Sequence, residues 1–546
     1  MNSPVSNCVN QPRRTALFGA VAVTANAAFG LPVTAATPRD DAALDLHVEL
    51  RAGPDRVALR NGELTRVWRY HGKLLRGDPN ALEASAGGYL GPIIRVRRGQ
   101  RVRIDLINGL PESTITHWHG LHVPDDMDGH PRFAIAPGER YVYQFTVLNR
   151  AGTYWFHPHP HGRTGKQVYF GLAGLFLVSD EEEAALDLPT GEQDIPLVIQ
   201  DRSFDDGNQL VYLNEGVDTA GKPRGGMMRG GGMMGGAGMM GRGRGGLMAG
   251  MMGMFGDNIL VNGRLDPSLP VERRAYRLRL LNASNSRIYK LAWSDGKLLT
   301  VIGNDGGLLA GHLQRDYVML APAQRLDVWV DFARWPASAE PLLRSLAFES
   351  GMAMGGMMMG GSALPDGAAF PVLRFRVGDG SATATQPPHR LSNVPTARAR
   401  SAVNFERPKV FDLTMRMMAW GINGKSFEIL AASPLETVKL GTEEVWEFRN
   451  EGRGGMMGMA MPHSMHVHGL QFRVLGRTTS SRSARGYNSV SAGLVDEGWK
   501  DTVLVMPEER VRILVRFADF AGLFLYHCHM LEHEDSGLMR NYRVVA

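Results

Sequence analysis

The chain has 546 residues, of which 44% are apolar and 21% charged, so it can form three or four globular domains. It has no run of about 18 apolar residues that could cross a bilayer, which argues against a membrane-embedded enzyme. The net charge of +5 is small beside 60 basic and 55 acidic residues and gives no reason to expect a nucleic-acid partner.

The N-terminal segment 1–36 has the pattern of an export signal. Arg13 and Arg14 precede a modestly apolar stretch at 16–30. Small residues suited to cleavage by a signal peptidase occur within this stretch, as ANA, and after it, as TAA. The paired arginines predict twin-arginine export, to the periplasm or otherwise out of the cytoplasm. A disordered tail is the alternative. Cleavage would remove Cys8 and leave Cys528 as the only thiol, so no intrachain disulfide could form.

The first and last thirds of the chain repeat one pattern of short strands. The stretches GQRVRIDLING, THWHGLHV and TYWFHPHPH correspond to GTEEVWEFRNEG, MHVHGLQFRV and FLYHCH. Apolar and polar residues alternate in each copy, as in antiparallel sandwiches. The middle third has a related rhythm without paired histidines. We therefore predict an all-β chain with domains at 40–185, 190–380 and 400–546.

Methionine is concentrated in three glycine-rich tracts. Residues 227–254 hold 10 methionines, 352–359 hold 5 and 456–465 hold 5, out of 29 in the chain. Glycine-rich sequence buries too little surface to offset its backbone entropy. We therefore expect these methionines outside the core, and a mobile insert at 222–256 in the middle domain. The stretch 378–407 is the expected linker to the last domain.

Five His-x-His pairs occur, although 17 histidines in 546 residues predict roughly half of one pair by chance. They lie at 117/119, 157/159, 159/161, 466/468 and 527/529. On a strand, each pair presents two imidazoles on one face, two rises of about 3.3 Å apart, which suits neighbouring ions. The pattern predicts a multi-metal cluster between the first and last domains. Cys528 lies between His527 and His529 and should point to the opposite face.

Imidazole ligands combined with one thiolate favour copper. Two histidines and a cysteine make a blue-copper electron-transfer site, and His463, Cys528 and His533 can supply that set. The five pairs, with His161 left aside, leave eight histidines for a second cluster. A structural zinc site would use more cysteines, and a c-type haem needs Cys-x-x-Cys-His, so neither fits.

The motifs HWHG, WFHPHPHG, HSMHVHG and HCHMLEH resemble, in this order, the four copper-binding motifs of multicopper oxidases. The resemblance spans most of the chain and implies three cupredoxin-like Greek-key β-sandwich domains that hold four copper ions. It implies His463, Cys528 and His533 at a type 1 copper, and His117 with His466 at a type 2 copper. It assigns to a type 3 copper pair the residues His119, His157, His159, His468, His527 and His529.

The same resemblance places two carboxylates at the cluster. Glu534 follows His533, and Asp128 follows the stretch HWHGLHVPDDM. Both positions imply proton delivery to dioxygen, and the alternative is that the carboxylates only hold ligand histidines in place. Leu538 occupies the axial position, where metal-oxidising bacterial members usually have methionine, so we expect no axial ligand. Met539 should face the other side of its strand.

The methionine tracts, together with HEDSG and GRTGKQV, are similar to those of periplasmic cuprous oxidases. Soft thioethers select Cu(I), and the tract 456–465 includes His463. We therefore expect a monomeric copper-tolerance enzyme that oxidises Cu(I), and phenols as a laccase does, while it reduces dioxygen to water. The alternatives are a laccase or ferroxidase whose inserts act as a lid, and a copper-sequestering protein without turnover.

Overall fold

Thirty-one strands form six sheets in the parts of the chain that the computed structural model describes. These parts are residues 44–85, 88–213, 252–350, 364–416, 419–450, 461–481 and 484–546. The predicted export signal, most of the insert 222–256 and the tract 352–359 lie outside the described residues. The six sheets pack in pairs around three large cores, which confirms the predicted all-β sandwich class.

The first sandwich has a four-stranded sheet in the order β2-β1-β5-β7 and a five-stranded sheet in the order β3-β4-β9-β8-β6. Val102, Ile104 and Leu106 are buried in its core, as their alternation with charged residues predicts. The strands are β1 (Leu46–Val57), β2 (Thr65–Arg76), β3 (Leu82–Glu83), β4 (Ile93–Arg97), β5 (Arg101–Asn108), β6 (Thr116–His119), β7 (Arg140–Thr146), β8 (Gly152–Pro158) and β9 (Gly174–Ser179).

The middle sandwich has sheets of seven and five strands, in the orders β12-β11-β10-β14-β19-β16-β17 and β13-β21-β20-β15-β18. Its strands are β10 (Asp194–Arg202), β11 (Asn258–Val261), β12 (Arg264–Leu265), β13 (Ser268–Val271), β14 (Ala275–Asn282), β15 (Tyr289–Trp293), β16 (Leu299–Asn304), β17 (Gly307–Arg315), β18 (Val318–Leu320), β19 (Arg325–Asp331), β20 (Leu342–Ser345) and β21 (Phe370–Val377).

The last sandwich has two five-stranded sheets, in the orders β23-β22-β25-β29-β27 and β24-β31-β30-β26-β28. Its strands are β22 (Lys409–Arg416), β23 (Ala419–Ile422), β24 (Thr437–Lys439), β25 (Glu443–Arg449), β26 (His463–Val467), β27 (Phe472–Thr479), β28 (Thr502–Val505), β29 (Glu509–Arg516), β30 (Gly522–Cys528) and β31 (Met539–Val545).

The three sandwiches share one connectivity. In each, the first long strand pairs in parallel with a later strand: β1 with β5, β10 with β14, and β22 with β25. The opposite sheets repeat this with β4 and β9, β13 and β21, and β24 and β31. The middle third is therefore a third copy of the same fold, as its sequence rhythm indicates.

Four short α-helices and seven single-turn 3₁₀ helices connect these strands in the described residues. The α-helices are α1 (Thr164–Tyr169), α2 (Glu181–Ala184), α3 (Ala484–Asn488) and α4 (Leu531–Asp535). The 3₁₀ helices are Pro79–Ala81, Pro131–Phe133, Gly191–Gln193, Phe332–Arg334, Ala399–Ser401, Pro434–Glu436 and Ser491–Gly493. Within the described parts of the chain, none of the helices is long and apolar enough to cross a membrane.

The expectation that the tract methionines lie outside the core is wrong for four of them. Met252, Met461 and Met465 are buried in the core of the last sandwich, and Met254 is buried in a neighbouring apolar cluster. The tract 456–465 ends inside strand β26, every residue of which is buried. Strand packing therefore overrides the glycine-rich composition at these tract ends.

Candidate metal centres

Histidines of the first and last sandwiches lie on two strand pairs that face each other. β6 pairs with β8 so that His117 lies opposite His157, and β26 pairs with β30 so that His466 lies opposite His527. All four side chains are fully buried. The rings of His117 and His466 are 5.6 Å apart, so the repeated motifs meet between the two sandwiches.

The first histidine triad consists of His119, His157 and His529. His157 Nε2 lies 3.4 Å from His119 Nδ1 and 3.3 Å from His529 Nε2. The other ring nitrogen of His157 donates to the carbonyl of Pro158 at 2.9 Å, because a carbonyl can only accept. Nε2 of His157 therefore presents a lone pair to its neighbours, as a metal ligand does.

The second histidine triad consists of His159, His468 and His527. His527 Nε2 lies 3.0 Å from His468 Nε2 and 3.3 Å from His159 Nε2. The Nδ1 atom of His468 contacts Asp128 Oδ2 at 2.7 Å, and the Nδ1 atom of His527 contacts Glu534 Oε2 at 3.0 Å. Both rings therefore turn their Nε2 atoms toward one shared point.

His117 and His466 form a histidine pair beside the two triads, and the pair and triads together are the histidine cluster. The Nε2 atoms of the pair lie 3.4 Å apart. Each Nδ1 atom donates at 2.7 Å to a backbone carbonyl, that of Asp128 or Asp501. Neither Nε2 can therefore donate to the other, and two lone pairs face each other in a buried space. A bound cation removes this repulsion, so the donor set fits a metal ion.

Cys528 points away from the histidine cluster and joins His463 and His533 in the thiolate site. Its Sγ atom is 3.5 Å from His463 Nδ1 and 3.7 Å from His533 Nδ1, and the two nitrogens are 3.3 Å apart. The centre of such a triangle lies about 2 Å from each corner, close to the length of a metal–imidazole bond. This donor set and spacing fit a blue-copper site.

Burial favours the neutral, metal-binding form of the candidate histidines. It lowers the pKa of eight of them, to about 3 for His157 and about 4 for His159. The other six are His117, His119, His463, His466, His468 and His529. Burial also raises the pKa of the metal-free Cys528 thiol to about 12, so a copper ion must displace its proton.

The predicted residue Asp128 connects the two repeats. Its Oδ2 atom lies 2.7 Å from His468 Nδ1, and its Oδ1 atom lies 3.5 Å from His117 Nδ1. Burial raises the pKa of Asp128 well above its usual value. This carboxyl group therefore contacts both the histidine pair and the second histidine triad.

Among the candidate ligands, the predicted residue Glu534 contacts two histidines of the second triad. It lies 3.0 Å from His527 Nδ1 and 3.5 Å from His159 Nε2. Burial acts to raise the pKa of Glu534, but the two histidines outweigh burial and hold this pKa at about 2. The ionised carboxylate therefore lies against ring nitrogens of two histidines of the second triad.

Asp501 also contacts the cluster, and sequence patterns missed it. Its Oδ1 atom is 3.1 Å from His119 Nε2, and its backbone carbonyl accepts from His466. Arg325 of the middle sandwich donates to both carboxylate oxygens of Asp501, at 2.8 and 2.5 Å. One sequence signal could have indicated this pair. Both Asp501 and Arg325 are charged residues at the start of a mostly apolar strand.

Leu538 and Met539 lie on opposite sides of the chain. Leu538 belongs to the same core as Cys528, and its carbonyl accepts from the Cys528 amide at 3.0 Å. Met539 packs instead with Phe427 and Leu525. The residue on the side of the thiolate site is therefore the hydrocarbon side chain, which has no ligand atom.

Comparison with known families matches both ends of the chain to one description. A family model described as multicopper oxidase matches residues 70–183, and a second with the same description matches residues 402–546. A laccase from Bacillus stratosphericus is 30% identical over 521 residues, which cover 88% of this chain and 91% of the relative. The multicopper oxidase mco of Staphylococcus aureus is 29% identical over 84% of this chain and 83% of the relative.

Solved structures give the same result. The multicopper oxidase McoA of Aquifex aeolicus has a TM-score of 0.72 and 34% identity, covering 92% of this chain and 96% of its own. A laccase-like multi-copper oxidase CueO from Ochrobactrum sp. has a TM-score of 0.69 and 28% identity, covering 93% and 98%. These similarities extend over all three sandwiches.

Proposed function

The chain belongs to the multicopper oxidase family, and on that premise we propose that it oxidises Cu(I), and also small phenols, while reducing dioxygen to water. Membership makes it a copper-containing oxidoreductase that uses oxygen and a reducing substrate. The specific Cu(I) reaction would contribute to copper tolerance. The proposal rests on one observation at the end of strand β30. There, Cys528 of the thiolate site lies between His527 of the second histidine triad and His529 of the first.

We assign four copper ions to the candidate centres. The thiolate site holds the type 1 ion, the histidine pair the type 2 ion, and the two histidine triads the type 3 pair. Copper bound there supplies one-electron oxidation of the substrate and four-electron reduction of dioxygen. Peptide bonds join Cys528 directly to His527 and His529, so a short covalent path links the two centres.

Glu534 and Asp128 are the proposed proton carriers for water formation. Both carboxyl groups are buried and contact ring nitrogens of the histidine cluster. Buried carboxylic acids beside a reacting centre commonly donate or relay protons. Each also fixes a histidine ring through its contact with Nδ1, so positioning and proton transfer are compatible roles.

The methionine tracts support Cu(I) as substrate. Met461 and Met465 lie on either side of His463 in the sequence, and both share the buried core of Cys528. Met252, at the end of the insert, belongs to the same core. Thioether sulfur is a soft donor that prefers Cu(I), and these three buried residues show that two of the tracts end in the core of the sandwich that holds the thiolate site.

The decisive experiment compares Cu(I) with a bulky phenol by oxygen consumption. In one variant a short Gly/Ser linker replaces residues 214–251, which keeps the buried Met252 and Met254. In a matched variant of full length, each methionine within 214–251 becomes leucine. We expect both changes to lower kcat/KM for Cu(I), with phenol oxidation unchanged or faster in the shortened variant.

Other results select the alternatives. Unaltered Cu(I) kinetics at full copper content would leave the insert as a linker or a lid over a laccase or ferroxidase site. Oxygen consumption with neither substrate, despite full copper content, would indicate a sequestering protein. Loss of both activities together with copper would indicate damaged centres, which total copper analysis detects.

We also propose export through residues 1–36, domain boundaries at 40–185, 190–380 and 400–546, and a monomeric state. The sheets support the boundaries, because their strands run from Leu46 to Ser179, Asp194 to Val377 and Lys409 to Val545.

Changing Arg13 and Arg14 together to lysine should retain the protein in the cytoplasm. The same change at the exposed Arg97 and Arg98 is the control. Light scattering tests the monomer.

A further inference from the structure

Glu532 is a buried carboxylate whose two oxygens each accept two hydrogen bonds. Oε1 accepts from the Asn285 amide at 2.7 Å and from the Tyr212 hydroxyl at 3.0 Å. Oε2 accepts from the Ser286 hydroxyl at 2.7 Å and from the Met254 backbone amide at 3.0 Å. Four donors occupy the lone-pair positions that an ionised carboxylate offers. The copper assignment gives this residue no role.

Two of these four donors come from opposite ends of one chain segment. Tyr212 lies just before residues 214–251, and Met254 lies just after them. We call the described residues 209–213 the entry stem and residues 252–256 the exit stem. The stems are far apart in sequence, yet both are bonded to the carboxylate of Glu532, whose neighbour along the chain is His533 of the thiolate site.

Two glycines allow the backbone to approach this carboxylate and its partners closely. A Cβ atom on Gly165 of helix α1 would lie 2.5 Å from the Tyr212 hydroxyl and 3.3 Å from Glu532 Oε1. A Cβ atom on Gly253 would lie 2.5 Å from Ser286 Oγ, and Gly253 has a φ of +99°. Both glycines are therefore required where the stems approach the carboxylate.

Further contacts fix each stem. The ring of Tyr212 lies 5.1 Å from that of Tyr169 in α1. In the exit stem, the Gly256 amide donates to Asp201 at 2.7 Å, and its carbonyl accepts from Arg287 at 2.9 Å. The stems are thus held by the first and middle sandwiches, while Glu532 connects them to helix α4 of the last one.

We propose that Glu532 is a positioning residue that fastens both ends of the methionine-rich segment to the helix carrying His533. If Glu532 only joined two sandwiches, its hydrogen bonds from Asn285 and Ser286 would be sufficient. The additional hydrogen bonds from the two stems also fix the points at which the segment leaves and re-enters the fold. Resting on the proposed function, this holds both stems on the helix that carries a ligand of the thiolate site.

Hydrogen exchange of the copper-free protein, followed by mass spectrometry, tests the attachment. Glu532→Leu removes both acceptor oxygens, so the donors of both stems lose their acceptor, whereas Glu532→Gln keeps one oxygen and therefore the acceptor of one stem only. We expect exchange in Glu532→Leu to rise about tenfold in both stems together. Exchange that rises in one stem only, or in neither, overturns the proposal.

Two further variants keep the test decisive. Tyr212→Phe removes a single donor and should raise exchange in the entry stem even if Glu532→Leu folds poorly, whereas unchanged exchange there counts against the proposal. Asn285→Ala removes a donor from the middle sandwich and leaves both stem bonds. If Asn285→Ala loosens the stems as much as Glu532→Leu does, Glu532 is only a link between sandwiches and the proposal fails.

Kinetics of the copper-loaded enzyme separate this proposal from the proposed function. For Glu532→Leu with an intact blue absorption band, we expect KM for Cu(I) to rise about fivefold at constant kcat, with a smaller effect on phenol. Raised exchange in both stems with unchanged Cu(I) kinetics would support the attachment and count against the Cu(I) role of the segment. A fall in kcat for both substrates would show that Glu532 acts on the copper centre itself.

Discussion

Arg325 donates hydrogen bonds of 2.8 and 2.5 Å to the two carboxylate oxygens of Asp501, although the residues belong to different sandwiches. Both side chains are fully buried. Asp501 in turn contacts His119 of the first sandwich and His466 of the last. The middle sandwich, which carries none of the candidate ligands, therefore helps to orient the histidine cluster.

The first prediction concerns this ion pair. Arg325→Met should lower the free energy of unfolding by about 3–5 kcal/mol, because it leaves a buried carboxylate without its partner. Copper content should fall as well. The control is Arg315→Met, which breaks a partly exposed pair with Glu497 and should cost about 1 kcal/mol or less. Denaturant titration of the copper-free proteins measures both values, and equal losses would contradict the prediction.

Cys528→Ser should abolish the intense blue absorption, since a hydroxyl does not replace the thiolate as a copper ligand. The paramagnetic signal of a type 2 copper should remain, because His117 and His466 are unchanged. Visible absorption and electron paramagnetic resonance of the same sample measure the two effects. Persistence of the blue band would mean that the thiolate site does not hold type 1 copper.

Leu538→Met should lower the potential of the type 1 copper. The leucine shares the core of Cys528 and has no ligand atom, whereas a thioether at this position can bind axially and stabilise the oxidised ion. Redox titration of the blue band measures the shift. The same substitution at Leu525, which lies in a separate cluster with Met539, is the control and should leave the potential unchanged.

Glu534→Gln should slow reoxidation of the fully reduced enzyme by dioxygen about 100-fold, the lower end of what a general acid–base group contributes, because the amide cannot accept and pass on a proton. Reduction of the blue centre by substrate should be nearly unaffected, because Glu534 contacts the second histidine triad and not the thiolate site. Stopped-flow spectroscopy measures the two half-reactions separately. Equal slowing of both would indicate disturbed ligand geometry instead of lost proton delivery.

Stability of the copper-free protein should fall as the pH decreases below about 6.5. Burial lowers the folded-state pKa of His157 to about 3 and of His159 to about 4, so these rings stay neutral while the unfolded chain takes up protons. Each such ring costs about 1.4 kcal/mol per pH unit between its unfolded and folded pKa. Thermal unfolding at pH 7.5, 6.5 and 5.5 tests this, and an unchanged melting temperature would contradict it.

The sequence predicts the strands and the candidate ligands because each has a short-range signature. The alternation of apolar and polar residues identifies the strands of the sandwiches, as at Val102, Ile104 and Leu106. The His-x-His pairs likewise place two rings on one face of a strand. The Cys528 side chain points to the opposite face from those of His527 and His529, because side chains alternate along a strand with a period of two. These features depend on neighbours within a few positions, which is why the eleven predicted donors form the groups found in the structure.

Features that depend on distant partners could not be predicted in this way. Arg325 and Asp501 are 176 residues apart, and Glu532 receives donors 320 and 278 residues away. Composition was misleading at Met461 and Met465, where a glycine-rich tract continues into a strand buried on both faces. Only the packing of three sandwiches brings such residues together.

The burial of Cys528 has a consequence for how the enzyme is assembled. With a pKa near 12 before metal binds, the thiol is almost entirely protonated at neutral pH, and the protonated form is a poor nucleophile. Because the Cys528 side chain is also fully buried, alkylating reagents should react with it more slowly in the folded, metal-free protein than in the unfolded chain. A thiol protected in this way stays available to copper after the chain has folded, so maturation can follow folding instead of having to accompany it.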